Sequence, residues 1–279
     1  MTGASRGLGA AITNEALARG HSVTAAVRNH ESAHRNLDES DSLLIATADV
    51  TNEAQLAAAV EATLARFGRI DVVVNNAGHG LIAAVEEASD AAVRAIFETN
   101  VFGVVNTLRA VLPTLRRQRS GHVINISSIG GFNGYPGWGF YNATKFAVEG
   151  LSEGLQGDLV PVGIRLTIVE PGGFRTDFLD SSSLHVEPNV IDDYAASAGA
   201  TRGVPALFNH AQRGDPAKAA AAIVNLADAD NPPLRLQLGP DAVEGVETKL
   251  ELMRRELDEC RTTALSTDRA DYEDPPGSD

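Results

Sequence analysis

The chain has 279 residues, 43% of them hydrophobic and 22% charged, with a formal net charge of −14 and a single cysteine, Cys260. So acidic a surface repels phosphate backbones and anionic lipid headgroups, which argues against nucleic acid and membranes as partners. No apolar stretch is long enough for a bilayer, no secretory signal is expected, and a lone cysteine fits a reducing compartment, so the expected location is the cytoplasm.

The chain opens with MTGASRGLGAAI. Glycines at 3, 7 and 9 let a backbone turn tightly and approach an anion without a Cβ in the way. The helical pattern that follows, ending at Gly20, would aim its N-terminal amides at that anion. The spacing is G-x-x-x-G-x-G rather than G-x-G-x-x-G, so alone it fits either a pyrophosphate cradle or an ordinary glycine-rich loop. Such a turn is normally reached from a buried strand of about five or six residues, and here only Met1 precedes it. Losing several buried apolar side chains at about 1.5–3 kcal/mol each is comparable with the roughly 5–15 kcal/mol net stability of a domain. The expectation is a sheet without its first central strand, and an upstream in-frame extension encoding a short β-branched run.

Continuous apolar runs at 22–27, 42–48, 70–74, 122–127, 164–169 and 234–238 read as parallel strands covered on both faces. Between them lie helical patterns at 51–68, 88–116 and 138–160, and one that starts on Asp215 with Pro216 at its first position. This alternation predicts an α/β fold with a doubly wound parallel sheet. The stretch 173–213 is a long connection of the kind that forms a functional lid or stays disordered. One domain is expected over 1–260, and the acidic, Pro/Gly-bearing end, 261–279, is expected to be a disordered tail.

After the strand at 22–27, where nicotinamide-binding folds place an acid for the adenosine ribose 2′-hydroxyl, stand Val27 and Arg28. A guanidinium there, with Arg6 in the glycine turn as a second cation, suits a 2′-phosphate and favours NADP(H) over NAD(H). Either arginine alone is equally a solvated surface residue. In FYNATKFAVEG, Tyr141 and Lys145 share a helix face at i and i+4. A phenol of ordinary pKa about 10 beside an ammonium is favoured as phenolate, and the pair can move a proton near neutral pH. By itself Y-x-x-x-K is also a common surface pair. Ser128 precedes Tyr141 by thirteen residues, Asn100 lies within the 88–116 pattern, and Pro171, Gly172 and Thr176 follow the strand at 164–169.

Taken in order, T-G-x-x-x-G-x-G (Thr2, Gly3, Gly7, Gly9), D-V (Asp49, Val50), N-N-A-G (Asn75, Asn76, Ala77, Gly78), Asn100, Ser128, Tyr141, Lys145 and P-G (Pro171, Gly172) carry a resemblance over residues 2 to about 180. The chain resembles the short-chain dehydrogenase/reductase family, in its single-domain Rossmann group. The run YNATKFAVEGLSEGL is also similar to the branch with 17β-hydroxysteroid-dehydrogenase-like members. The resemblance implies a Rossmann-like three-layer αβα fold and a set of roles. Tyr141 would be general acid in carbonyl reduction and general base in alcohol oxidation. Lys145 would lower the tyrosine pKa and bind the nicotinamide ribose, Ser128 would hold the substrate oxygen, and Asn100 would hold a water linking Lys145 to solvent. Gly3, Ser5, Gly7 and Gly9 would surround the pyrophosphate. Asp49 with Val50 would meet the adenine, Asn76 with Ala77 and Gly78 the adenosine side, and Pro171, Gly172 and Thr176 the nicotinamide. Homodimers or homotetramers through the helices at 88–116 and 138–160 are implied as well.

The expected activity interconverts a ketone or aldehyde and an alcohol by NADP(H)-dependent hydride transfer. Phe174, Phe178 and Leu179 suggest an apolar small-molecule substrate, although ordinary lid packing accounts for them too. An NAD-dependent alcohol oxidation is a further reading. The alternative from another class is a catalytically silent Rossmann scaffold or ligand sensor, which the short start favours and the complete Asn/Ser/Tyr/Lys set opposes. Ser127 adjoins Ser128, and the spacing to Tyr141 selects Ser128. His79 either edges the pocket or sits on an exposed loop, and Tyr135 and Trp138 either wall the pocket or pack a helix start. The seven histidines form no H-E-x-x-H and no Cys/His cluster, so no metal site is expected.

Overall fold

The structure, a computed structural model, describes residues 1–269. Its elements run α1 (Gly7–Ala18), β1 (Val23–Val27), α2 (His30–Asn36), β2 (Leu43–Thr47), α3 (Glu53–Phe67), β3 (Val72–Asn75), β4 (Gly80–Ile82), α4 (Asp90–Phe97), α5 (Gly103–Gln118), β5 (Gly121–Ile126), α6 (Gly139–Leu159), β6 (Ile164–Pro171), β7 (Leu184–Val186), α7 (Ala200–Arg202), α8 (Val204–Phe208), α9 (Pro216–Asp228), β8 (Arg235–Leu238) and α10 (Pro240–Leu265). Local chemistry sets several boundaries. Asn52, Ser89 and Asp215 cap α3, α4 and α9 by accepting from backbone N–H groups of the first turn, and α3 stops on left-handed Gly68.

All strands pair in parallel. β3, β5, β6 and β8 form a four-stranded sheet in that order, with β1 and β2 paired beside it. Residues 1–3 bridge β1 and β3: Thr2 N donates to Val74 O at 3.0 Å, Ala26 N to Met1 O at 2.9 Å and Gly3 N to Ala26 O at 3.1 Å. Beyond this bridge the two strand edges stand apart around a cavity of about 600 Å³ lined by Met1, Thr24, Thr63, Val72 and Ile124.

Alternate side chains of the buried strands feed two cores. Val123, Leu166 and Ile168 join Val104, Leu108, Val111 and Leu115 of α5 and Val148 of α6 on one face. Ile124, Ile126 and Val169 join Ile12 of α1 and Ala220, Ile223 and Val224 of α9 on the other. The result is the doubly wound parallel architecture expected from the sequence.

Three features differ from expectation. The pattern at 88–116 is not one α-helix: α4 and α5 are joined by a π-helical turn, Glu98–Phe102, which places Asn100 inside. Four helices, α2, α7, α8 and α10, lie outside the expected set, and α10 continues through residues 261–265 of the expected tail. Residues 270–279 of that tail lie outside the described residues. Finally, 173–213, which the sequence leaves open between a lid and a disordered segment, is folded and adds a strand outside the expected set. Its β7 pairs with β4, matching Gly80 to Leu184 and Ile82 to Val186.

Glu87 ties the lid down. Its carboxylate, buried as a side chain, accepts from Ala84 N at 2.7 Å, Ile191 N at 2.9 Å and Arg202 Nη2 at 2.7 Å. These bonds, led by that from Arg202, hold the Glu87 pKa down to about 2 from 4.5. A depressed carboxylate contributes stability that is full above the unfolded value and is lost as pH falls toward the folded one. Glu87→Ala is therefore expected to speed amide exchange across residues 189–202 while leaving β5 and β6 protected. In the wild type, the same segment loosens selectively only as pH drops from about 4.5 toward about 2. Hydrogen exchange followed by mass spectrometry checks both.

Candidate active site

Because every strand of the main sheet runs the same way, the C-terminal ends of β1, β2, β3, β5 and β6 open onto one crevice. The crevice has a volume of about 1040 Å³. Gly3, Ser5, Arg6, Gly7, Gly9, Arg28, Asp49, Val50, Asn76, Ala77, Gly78, Ser128, Tyr141, Lys145, Pro171, Gly172 and Thr176 all line it. Asn100 is the exception: it lies behind the wall, 1% exposed.

The glycine turn is held open by contacts that forbid side chains. A Cβ on Gly9 would fall 2.2 Å from Gly3 O, and one on Gly3 would fall 2.9 Å from Ala77 Cα. Asn76 braces the turn, its Nδ2 donating to Thr2 O and Gly3 O at 3.1 Å each. The N-terminus of α1 opens beside this turn with no side-chain cap and no acid in its first turn. Unpaired amides and a positive dipole end, next to backbone that can be approached closely, fit a pyrophosphate. Asp49 spends one oxygen on the N–H and hydroxyl of Thr51. Arg28 stands exposed at the rim with no hydrogen-bond or ion-pair partner among the described residues, and Arg35 of α2, which the sequence patterns do not single out, lines the same end. Arg6 instead donates to Ser182 O at 2.6 Å, clipping the glycine turn to the lid. On the opposite side Asp241 Oδ2 accepts from Gly173 N at 2.6 Å and fills the space that a Cβ on Gly172 would need.

At the other end, α6 presents Tyr141 and Lys145 one turn apart. Lys145 Nζ donates to Ile126 O at 2.9 Å and lies 5.8 Å from the centre of the Tyr141 ring. Burial lowers the ammonium pKa to about 8, with Glu149 acting in the opposite direction. Burial raises the phenol to about 12, with the hydrogen-bonded Ser128 hydroxyl pulling it down. In the chain alone, with Lys145 itself desolvated and donating to a carbonyl, burial is the larger effect on the phenol. The phenol is held as a donor.

Ser128 Oγ accepts from Gly130 N at 3.0 Å, so the serine starts the next turn with its hydroxyl beside Tyr141. Ser127 turns toward Glu149, which is caught with Glu170 around one guanidinium, Arg235 Nε, at 3.4 and 3.2 Å. Burial pushes Glu149 up to about 7. Asn100 Nδ2 donates to His79 O at 3.0 Å and Thr144 Oγ1 at 3.1 Å, and its Oδ1 accepts from His79 N at 3.0 Å. Both amide protons are spent; one lone pair of Oδ1 stays available.

Aromatic rings wall this end. Trp138 and Phe178 stack at 6.4 Å and 16°, and Tyr141 meets them at 5.5 and 5.6 Å. Gly80 makes room, since a Cβ there would come within 2.7 Å of Leu184 Cδ1. Tyr135, His79 and, from the lid, His185, Gln212 and Val204 complete the lining. The lid contributions are missing from the sequence reading because β4 meets β7 across about a hundred residues, and no local pattern records such a pairing. Asp177, Asp180 and His210 also gather in the lid, with His210 Nε2 3.4 Å from Asp180 Oδ1, a surface ion-pair cluster whose spacing matches no motif. Among the described residues, no helix is long and apolar enough to cross a membrane.

The family model of the short chain dehydrogenases matches residues 1–187. The oxidoreductase BOA17 of Botryotinia fuckeliana is 39% identical over 269 residues, covering 96% of this chain and 97% of its own. The 3-ketodihydrosphingosine reductase of Bacteroides thetaiotaomicron is 39% identical over 241 residues, 86% of this chain and 87% of its own. The crystal structure of a short-chain dehydrogenase from Streptomyces avermitilis superimposes with a TM-score of 0.88 at 41% identity, covering 96% of both chains. Solved neighbours of the fold bind NADP in one case and NAD in another. On this crevice, this sheet order and these matches, the chain belongs to the short-chain dehydrogenase family of oxidoreductases.

Proposed function

We propose that the protein is an NADP(H)-dependent reductase of apolar ketones or aldehydes, running the reverse alcohol oxidation through the same groups. The observation that carries this reading is the convergence of the Tyr141 phenol, the Ser128 hydroxyl and the Lys145 amine at one end of a crevice whose other end is an uncapped helix N-terminus. The bound dinucleotide supplies or accepts the hydride. The chain's own groups manage the proton. Ser128 holds the substrate oxygen as it gains charge, and Tyr141 Oη gives that oxygen its proton. Lys145, anchored on Ile126 O, supplies positive charge beside the phenol as the proton leaves. The free lone pair of Asn100 Oδ1 is placed to hold a water that refills the relay.

Arg28, unpaired at the rim, supports a 2′-phosphate and hence NADP(H), with Arg35 nearby. Arg6, engaged with Ser182 O, serves this role only by exchanging that partner. The stacked Trp138 and Phe178, with Leu184 and Val204, support an apolar substrate, in keeping with the steroid-dehydrogenase-like run around Tyr141 and with a relative named as a ketone reductase. Asp49 and Asn76 serve the coenzyme through the turns they brace.

Two measurements test this. Tyr141→Phe is expected to lower kcat for ketone reduction by about 10²–10⁴-fold while NADPH binding, followed by fluorescence titration, changes little. Comparable turnover in the variant would overturn the assignment. Arg28→Ala is expected to raise KM for NADPH by roughly 10–100-fold, the worth of one charge-assisted hydrogen bond, and to leave KM for NADH unchanged. An equal effect on both coenzymes, or on neither, refutes the 2′-phosphate reading.

A further inference from the structure

Helix α10 carries a pattern that the oxidoreductase site does not use. Val243, Val246, Leu250, Met253, Leu257, Cys260 and Ala264 recur at alternating steps of three and four, the spacing of a coiled-coil seam. On a helix this stripe lies beside the one that rests on the body. Ala242 is buried, Gly245 packs against Ile129 and Asn133, and Val246, Lys249 and Leu252 are half-buried. Apart from Val246, the seam faces outward: Val243 is 45% exposed, Leu250 54%, Met253 50% and Leu257 52%. From residue 253 to the helix end at Leu265, every residue is exposed. A helical extension of that length with no packing partner is marginal in water. A regular apolar stripe on it implies another helix.

We propose that two copies of this chain associate through antiparallel pairing of their α10 helices. The helix is complementary to itself in that orientation. Setting Leu250 against Met253 of the second copy also sets Val246 against Leu257 and Val243 against Cys260, and a two-fold axis repeats each layer in reverse. The overlap runs from 243 to 260. The charges agree with this register. The first half of the helix is acidic, with Asp241, Glu244, Glu247 and Glu251 against Lys249 alone, and it meets a half in which Arg254, Arg255 and Arg261 offset Glu256, Asp258 and Glu259. In this register Glu247 flanks Arg254 of the second copy, and Lys249 flanks its Glu256. Within each helix Arg254 holds Asp258 at 3.1 Å, and Asp258 also holds Arg261 at 2.7 Å. The surface differs from the helices at 88–116 and 138–160 and does not depend on which reaction the crevice supports.

Sedimentation of the full chain over a dilution series is the first test. The wild type is expected as a dimer that dissociates on dilution. Leu250→Glu with Leu257→Glu is expected to weaken that dimer by roughly a hundredfold or more, with the circular dichroism of the sheet domain unchanged. Orientation is read by mild oxidation. Val243→Cys is expected to give a covalent dimer through Cys260 of the second copy, and Val243→Cys with Cys260→Ser is expected to give none. A wild type that stays monomeric throughout, a dimer indifferent to the two glutamates, or efficient Cys260–Cys260 linkage in the oxidised wild type would each overturn the proposal.

Discussion

The hydrogen bond from Lys145 Nζ to the Ile126 carbonyl joins the two elements on which the site is built. It fastens α6 to the last residue of β5, so the residues that follow the strand, Ser127 and Ser128, meet the face of α6 that carries Tyr141. A buried ammonium with a single carbonyl partner is a costly arrangement, and burial duly lowers its pKa to about 8. Thr144 beside it, fully buried, links the same helix to Asn100 and through it to the backbone of His79, the residue before β4. The end of β5, the start of β4, the π-helical turn and α6 are thereby locked around a common point.

That locking explains the electrostatics. Tyr141 and Lys145 are both driven toward their neutral forms because the same packing that positions them removes water from them. The separation of 5.8 Å between the ammonium and the ring centre leaves desolvation the larger effect. The protein alone holds a phenol ready to donate. Behind this wall a second buried group, Glu149, is raised to about 7 by burial and by the neighbouring Glu170, against the pull of the Arg235 guanidinium that both share.

The lid follows a different logic. It is tied by few but directional contacts: the short β4–β7 pairing, the Glu87 network, and Arg6 to Ser182. Large apolar cores lie instead on the two faces of the main sheet. Phe178 sits on this tethered segment and stacks against Trp138, so the aromatic wall of the site depends on contacts more than twenty residues apart in either direction.

The periodicity of the chain was enough to determine the α/β class, the main parallel strands and the pyrophosphate-type turn, because each rests on local physics. Apolar runs declare strands buried on both faces, cap residues declare helix starts, and glycine at 3 and 9 declares a backbone approached too closely for a Cβ. Tyr141, Lys145 and Ser128 were legible for a related reason: a fixed spacing on a helix, and a fixed count from strand end to helix, survive folding unchanged. Only the tertiary structure decided what lies between distant segments. It broke the 88–116 helix with a π-turn that carries Asn100 inward, paired Gly80 with Leu184, set Glu87 on Arg202, and turned Arg6 to the lid while leaving Arg28 at the rim. It also buried Tyr141 and Lys145 together, since a neighbour at i+4 is visible in a sequence and the loss of water around both groups is not.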